Sequence, residues 1–124
     1  MLGTIRTLLL ADLTINGIVG DNIFVGYATK EVQEPYIILE DLFQSPNDCK
    51  DFKSVMDSFS FAVTAVAGQF STIETLLAQC RVVLVAYQDP TFKGISFDGM
   101  QEMYDGTQDY HVKTNSYKSL ITVL

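Results

Sequence analysis

Histidine occurs once in this chain, at His111, and cysteine only twice, at Cys49 and Cys80. A lone histidine supplies neither a two-histidine metal site nor, without a Ser-containing nucleophile elbow, a catalytic triad. His111 reads instead as a strand side chain between Tyr110 and Val112. Two widely spaced cysteines with no CxxC pair exclude a disulfide framework and a zinc or thiol-redox motif. They are expected as free thiols of a reducing cytoplasm. Basic residues are scarce too. The chain sets 8 Lys+Arg against 15 Asp+Glu, a formal charge of −7, which argues against a surface that grips phosphate. The glycines form neither GxGxxG nor GxxxxGK[ST]. No apolar run approaches the ~20 residues that cross a bilayer. The run Leu8-Leu9-Leu10-Ala11 stops at Asp12 with no cleavage pattern behind it. Without repeats, linkers or low-complexity tracts, residues 1–124 are expected to form one domain, intracellular when made.

What is present is an ordinary core. Apolar residues make up 48% of the 124, enough to exclude a disordered chain. A domain near this length buries roughly 65–70% of its unfolded surface and needs no metal or disulfide to hold it. Leu2, Ile5, Leu8, Leu9 and Leu13 share one helical face, a pattern that Asn16-Gly17 is expected to end. A short strand over 22–28 and a second from Tyr36 to Phe43 follow, separated by a charged segment ending at Pro35. The polar stretch 44–53, with turn chemistry at Ser45-Pro46-Asn47-Asp48, reads as an exposed excursion. Alternation over 55–65 then predicts a strand whose Phe59 and Phe61 point to the core.

Ser71-Thr72-Ile73-Glu74 has the form of a capping box. The helix behind it gathers Ile73, Leu76, Leu77, Cys80, Leu84 and Tyr87 on one face. Thr75, Ala78, Val82 and Val85 form a second, hardly charged stripe on the opposite face. A helix packed on its own sheet needs one apolar stripe, so the second suggests another covering surface; a buried, β-branched helix end is the alternative. Beyond Asp89-Pro90, residues 95–104 and 110–123 predict two more strands around a turn at Asp105-Gly106-Thr107, the last buried on both faces. The expected fold class is α+β: an antiparallel sheet of about five strands with two helices on one face, in the order α-β-β-β-α-β-β.

No active site assembles from these residues. Asp89 to Ile95 has the outline of a calcium loop, but Lys93 would occupy a ligand position and Met100 stands where the bidentate Glu belongs. Glu40-Asp41 and Asp48 with Asp51 are carboxylates of a kind usually only solvated. No catalytic residue, metal or cofactor is expected, and an enzyme is disfavoured.

Several segments taken together carry a resemblance. The amphipathic N-terminal helix runs into Ile18-Val19-Gly20-Asp21-Asn22-Ile23-Phe24. Pro35-Tyr36-Ile37-Ile38-Leu39 leads through a polar loop to Ser58-Phe59-Ser60-Phe61-Ala62-Val63-Thr64-Ala65. A helix over 72–84 and a strand-forming C-terminal part complete the order. This resembles the tail-completion, or tail-terminator, family of long-tailed bacteriophages of the siphovirus type. The likeness covers nearly the whole chain, through its hydrophobic pattern and the Val19-Gly20-Asp21 and Pro35-Tyr36-Ile37 landmarks. Asn22 departs from it, since members often carry a basic residue there.

The resemblance implies a structural virion protein at the tail–head junction. Such proteins form a ring, typically a hexamer, on the head-proximal end of the tail tube, stop its polymerisation and give the head a surface to dock on. The implied partners are further copies of the chain, the major tail tube protein and a head completion or neck protein. DNA would pass through without specific binding, with no membrane involved, and an acidic wall suits such a duct. A closed ring needs unlike patches on each subunit. Thr75, Ala78, Val82 and Val85 are the candidate subunit interface. The segment carrying Asn47, Asp48, Asp51, Phe52 and Lys53 is the candidate contact to tube or neck. Phe52 could be its anchor or could fold back on its own core. Asp48, Asp51 and Asp57 are candidates for an acidic lumen. Competing readings are a monomeric acidic binding module, such as a nucleic-acid mimic inhibiting a host protein, and a small enzyme with an unrecognised site.

Overall fold

In a computed structural model, residues 2–26, 35–46, 56–88, 92–105 and 110–122 are described. Helix α1, Leu2–Leu10, buries Leu2, Ile5 and Leu9, a spacing that lays all three along one face. The Arg6 Nε donates to the Ile23 carbonyl at 2.7 Å, fastening α1 to the first strand. The helix does not run on to Asn16-Gly17. It breaks at Asp12, whose carboxylate accepts from the Thr14 and Ile15 N–H groups at 3.0 Å each and so starts a new helix, α2, Leu13–Val19. The two axes differ by 93°. Asn16 and Gly17 lie inside α2, which ends where Gly20 takes φ 59°.

The strands are β1 (Ile23–Val25), β2 (Tyr36–Pro46), β3 (Met56–Ala67), β4 (Phe92–Asp105) and β5 (Tyr110–Thr122), in the spatial order β1-β2-β3-β5-β4. Between β3 and β4 runs α3, Phe70–Ala86. The fold class is α+β as expected, but with three helices and a mixed sheet among the described residues. β1 pairs parallel to β2, Ile23 opposite Ile37, and the remaining pairs are antiparallel. The antiparallel expectation rests on tight hairpins of two to about five residues, and residues 26–35 separate β1 from β2 by more than that. β2 also continues through Gln44, Ser45 and Pro46, paired down to Asp57, so the polar stretch begins inside a strand.

The helices cover one face of the sheet. Phe59, Phe61, Val63 and Ala65 of β3 meet Ile73, Leu76, Leu77, Cys80 and Leu84 of α3 and Ile5, Leu9 and Ile15 of α1 and α2 in a single core. Aromatic rings run across the strands: Phe59 stacks on Phe61 at 5.5 Å, Phe61 on Tyr117 at 5.4 Å, and Tyr117 meets Phe97 edge-on at 5.8 Å. The strand buried on both faces is β3, not β5. On its far side Ser60, Ala62 and Val66 are buried, because small side chains in the central strand sit below their neighbours. β5 buries Asn115, Tyr117 and Ser119 and leaves Lys118 and Leu120 exposed.

The Ser71–Glu74 capping box does not form. α3 begins at Phe70, with Gln69 as N-cap and no side-chain cap bond. The first turn is held by Phe70 instead, its ring 5.7 Å from that of His111 and 5.9 Å from the Lys113 ammonium. The helix therefore starts before the Ser-x-x-Glu spacing can act.

Candidate subunit-contact surface

The buried face of α3 matches the sequence pattern through Leu84, and this fixes what the opposite face presents. Thr75, Ala78, Val82 and Val85 are all exposed; Val82 keeps 62% of its surface in water and Val85 48%. The buried helix end that stood as the alternative is thereby excluded within this chain. Two of its residues border the β4 side of the helix. Ala78 borders a hollow of about 340 Å³ shared with Phe97 and Met100 of β4, and Val85 borders one of about 440 Å³ shared with Gly94 and Ser96. Between them Arg81 lays its guanidinium 4.0 Å over the Phe97 ring, a cation–π contact that holds the charge at the surface.

Met100, 61% exposed, belongs to the same surface and was not singled out by the sequence. A bulge between Phe97 and Gly99 shifts the alternation by one, so Met100 pairs with Asn115 and turns to the helix side. Gly99 within a strand was the available signal. A second bulge, between Asp41 and Phe43 of β2, leaves Leu42 51% exposed beside the exposed Glu40 and Asp41.

Asn47, Asp48, Asp51, Phe52 and Lys53 lie outside the described residues, as do Gly106 and Thr107 of the expected turn, whose Asp105 ends β4. Asp57 is placed by its backbone only, opposite Pro46 on β2 and Ile121 on β5. Of the calcium-like stretch, 89–91 also fall outside. The structure thus brings the α3 stripe together, sets the Asp57 backbone in β3, and does not describe the loop candidates or Asp48 and Asp51.

Electrostatics mark a few interior points. Burial pushes the Cys80 thiol up to about 12, and the nearby Asp12 carboxylate adds to the effect. Tyr117 is likewise raised to about 12, chiefly by burial. Its hydroxyl and the Asn115 Oδ1 are buried with no well-formed hydrogen bond among the described residues, although the neighbouring Asn115 side chain offsets part of the rise. The Asp12 carboxyl is held below its ordinary value, mainly by the Ile15 N–H and then by the Gln79 side chain, whose Nε2 donates to Oδ2 at 3.0 Å. Among the described residues, ion pairs Lys113–Glu102 at 3.6 Å, with the lysine mostly buried, and Lys118–Asp98 at 3.5 Å, at the surface, join β4 to β5. His111 is half-buried against Phe70. Among the described residues no three His, Cys, Asp or Glu side chains gather as metal ligands. No single described helix is long and apolar enough to cross a membrane.

No family model matches the chain, and no curated protein sequence is significantly similar to it. A solved structure does share its fold. A chain from the virion of a native gene transfer agent particle superposes with a TM-score of 0.76 at 14% identity, over 96% of this chain and 92% of that one. A crystal structure from Akkermansia muciniphila covers 99% of this chain and 75% of its own, at 9% identity and a TM-score of 0.45. At 14% identity the likeness to the virion chain is one of fold, and it extends over nearly the full length of both.

Proposed function

We propose that this chain is a structural virion protein that assembles into a ring, typically a hexamer, at the head-proximal end of a tail tube. There it stops tube polymerisation and joins tail to head or neck. The observation that carries the reading is the fold shared with a virion chain over 96% of this sequence. It agrees in kind with the tail-terminator resemblance, which rests on separate sequence landmarks. The exposed stripe of Thr75, Ala78, Val82 and Val85 is the proposed subunit contact. The segment 47–53, with Phe52 as anchor, is the proposed reach toward tube or neck. Asp48, Asp51 and Asp57 are the proposed acidic lining past which DNA slides unbound; a formal charge of −7 on every subunit suits a wall that repels phosphate.

Light scattering of the purified chain, with electron microscopy of tails carrying it, tests the proposal. A closed ring in solution or at one end of the tail is expected. A strict monomer at tens of micromolar, with no ring on tails, overturns it and favours the acidic binding module. Removal of 47–53 is expected to spare the folded subunit and block docking to tube or neck. Normal virions from that deletion remove the segment from the mechanism.

A further inference from the structure

The two margins of the sheet are unlike, and both are apolar. β1 and β4 are its opposite edges. On the β4 side Met100, 61% exposed, borders a hollow with Ala78 and Arg81 of α3, and Val82, 62% exposed, follows Arg81 on the outward face of the same helix. On the other side β1 stops at Val25, so from Glu40 onward β2 is the outermost described strand, and Leu42 projects from its bulge. The charge next to each exposed apolar side chain differs in sign as well, although Glu74 also lines the hollow beside Arg81. Arg81, beside Val82, rests on a ring and forms no ion pair among the described residues. Glu40 and Asp41, beside Leu42, are exposed carboxylates that likewise form none.

We propose that these margins are complementary halves of one head-to-tail contact, in which Leu42 with Glu40 and Asp41 of one subunit docks on Val82, Met100 and Arg81 of a second copy of this chain. The inference rests on the ring reading above and names the partner surface that reading leaves open. Unlike patches on opposite edges are what a heterologous interface requires: each subunit keeps one of each free, and rotation closes the set. An apolar centre supplies the contact energy. The flanking Arg and carboxylates set register and reject the reversed docking, which would oppose like charges. A self-complementary dimer through the α3 stripe would instead bring Arg81 near its own copy.

Cross-linking tests the pairing. In a Cys49→Ser background, Leu42→Cys and Val82→Cys are made singly and together, and treated with a short bifunctional maleimide. Cys80 stays silent because it is buried, with its thiol pushed up to about 12. The double variant is expected to give a covalent ladder ending at the ring's subunit number, while each single variant gives no covalent oligomer. Ladder formation by Val82→Cys alone, or a double variant that stays uncoupled in rings visible by scattering, overturns the pairing and leaves the ring reading standing. A parent chain that forms no ring at all, alone or on tails, removes both. As a second measurement, Arg81→Glu is expected to weaken assembly by about tenfold or more. Adding Glu40→Lys and Asp41→Lys should restore it; failure of that restoration in a folded triple variant overturns the charge pairing.

Discussion

Replacing Val82 by Asp separates two roles that a valine on a helix can have. Most of this side chain already faces water. The folded subunit therefore forfeits only a fraction of the ~1.5–3 kcal/mol that full burial of a valine contributes, about 0.5–1 kcal/mol. Helix propensity changes little, since valine and aspartate rank close together. An anion near the C-terminal end of α3, which closes at Ala86, adds about 0.3–1 kcal/mol of unfavourable dipole interaction. The subunit should lose about 1–2 kcal/mol, a fall in melting temperature of roughly 3–10 °C at this chain length. At a subunit contact the same carboxylate would be stripped of water with no partner supplied. That costs several kcal/mol; at ~3 kcal/mol it is about a hundredfold in affinity for every contact around the ring. Thermal melts followed by circular dichroism read the first quantity, and light scattering reads the second. Cooperative melting with loss of the ring is expected. Collapse of the fold would show that Val82 belongs to the subunit's own core, and unchanged assembly would show that the stripe is not a contact.

The remaining predictions concern the interior. Tyr117→Phe removes a buried hydroxyl with no well-formed hydrogen bond among the described residues and should raise stability by about 1 kcal/mol in urea titrations; a loss of similar size would mean that the hydroxyl bonds the Asn115 side chain. Asp12→Ala should cost about 1–2 kcal/mol by uncapping α2, and it also cuts the tie to Gln79. Because the folded state depresses the Asp12 pKa below its ordinary 3.8, that contribution is complete above the ordinary value. It is lost as pH falls through the folded value. The gap between the variant and the parent protein should therefore close on acidification below about pH 4, as measured by urea unfolding across pH. A gap that stays constant to strongly acidic pH would contradict the assignment of the cap to the carboxylate.

The parts of the fold legible in the sequence were those governed by one strong period. Ile73 to Leu84 repeat at helical spacing, and Phe59 and Phe61 alternate as a strand, so their buried faces followed directly. Less legible were features decided by contacts distant in sequence. The direction of β1 depends on its partner in space. The start of α3 depends on Phe70 meeting a ring forty residues away, at His111. The break at Asp12 left a weak local signal, because the apolar residues continue past it. The stripe on α3 was readable because its exposure is the complement of a well-patterned core. Met100 and Leu42 were hidden because bulges reset the alternation that sequence reading relies on. Segment 47–53 and the side chain of Asp57 lie outside the described residues, so their roles remain proposals.

The spatial order of the sheet also bears on how a subunit is made. β5, the last strand described, lies between β3 and β4 and is, among the described residues, the only strand that pairs with β4. As the chain leaves the ribosome, α3 and β4 emerge with nothing to bind β4 into the sheet, and one side of β3 stays open until β5 arrives. The sheet cannot close until residues 110–122 have been synthesised. Non-local pairing of this kind folds slowly and leaves strand edges exposed meanwhile. A nascent or truncated chain therefore lacks a finished β4 margin, and with it the wall of both hollows beside α3. Incomplete subunits would be barred from assembly by topology alone.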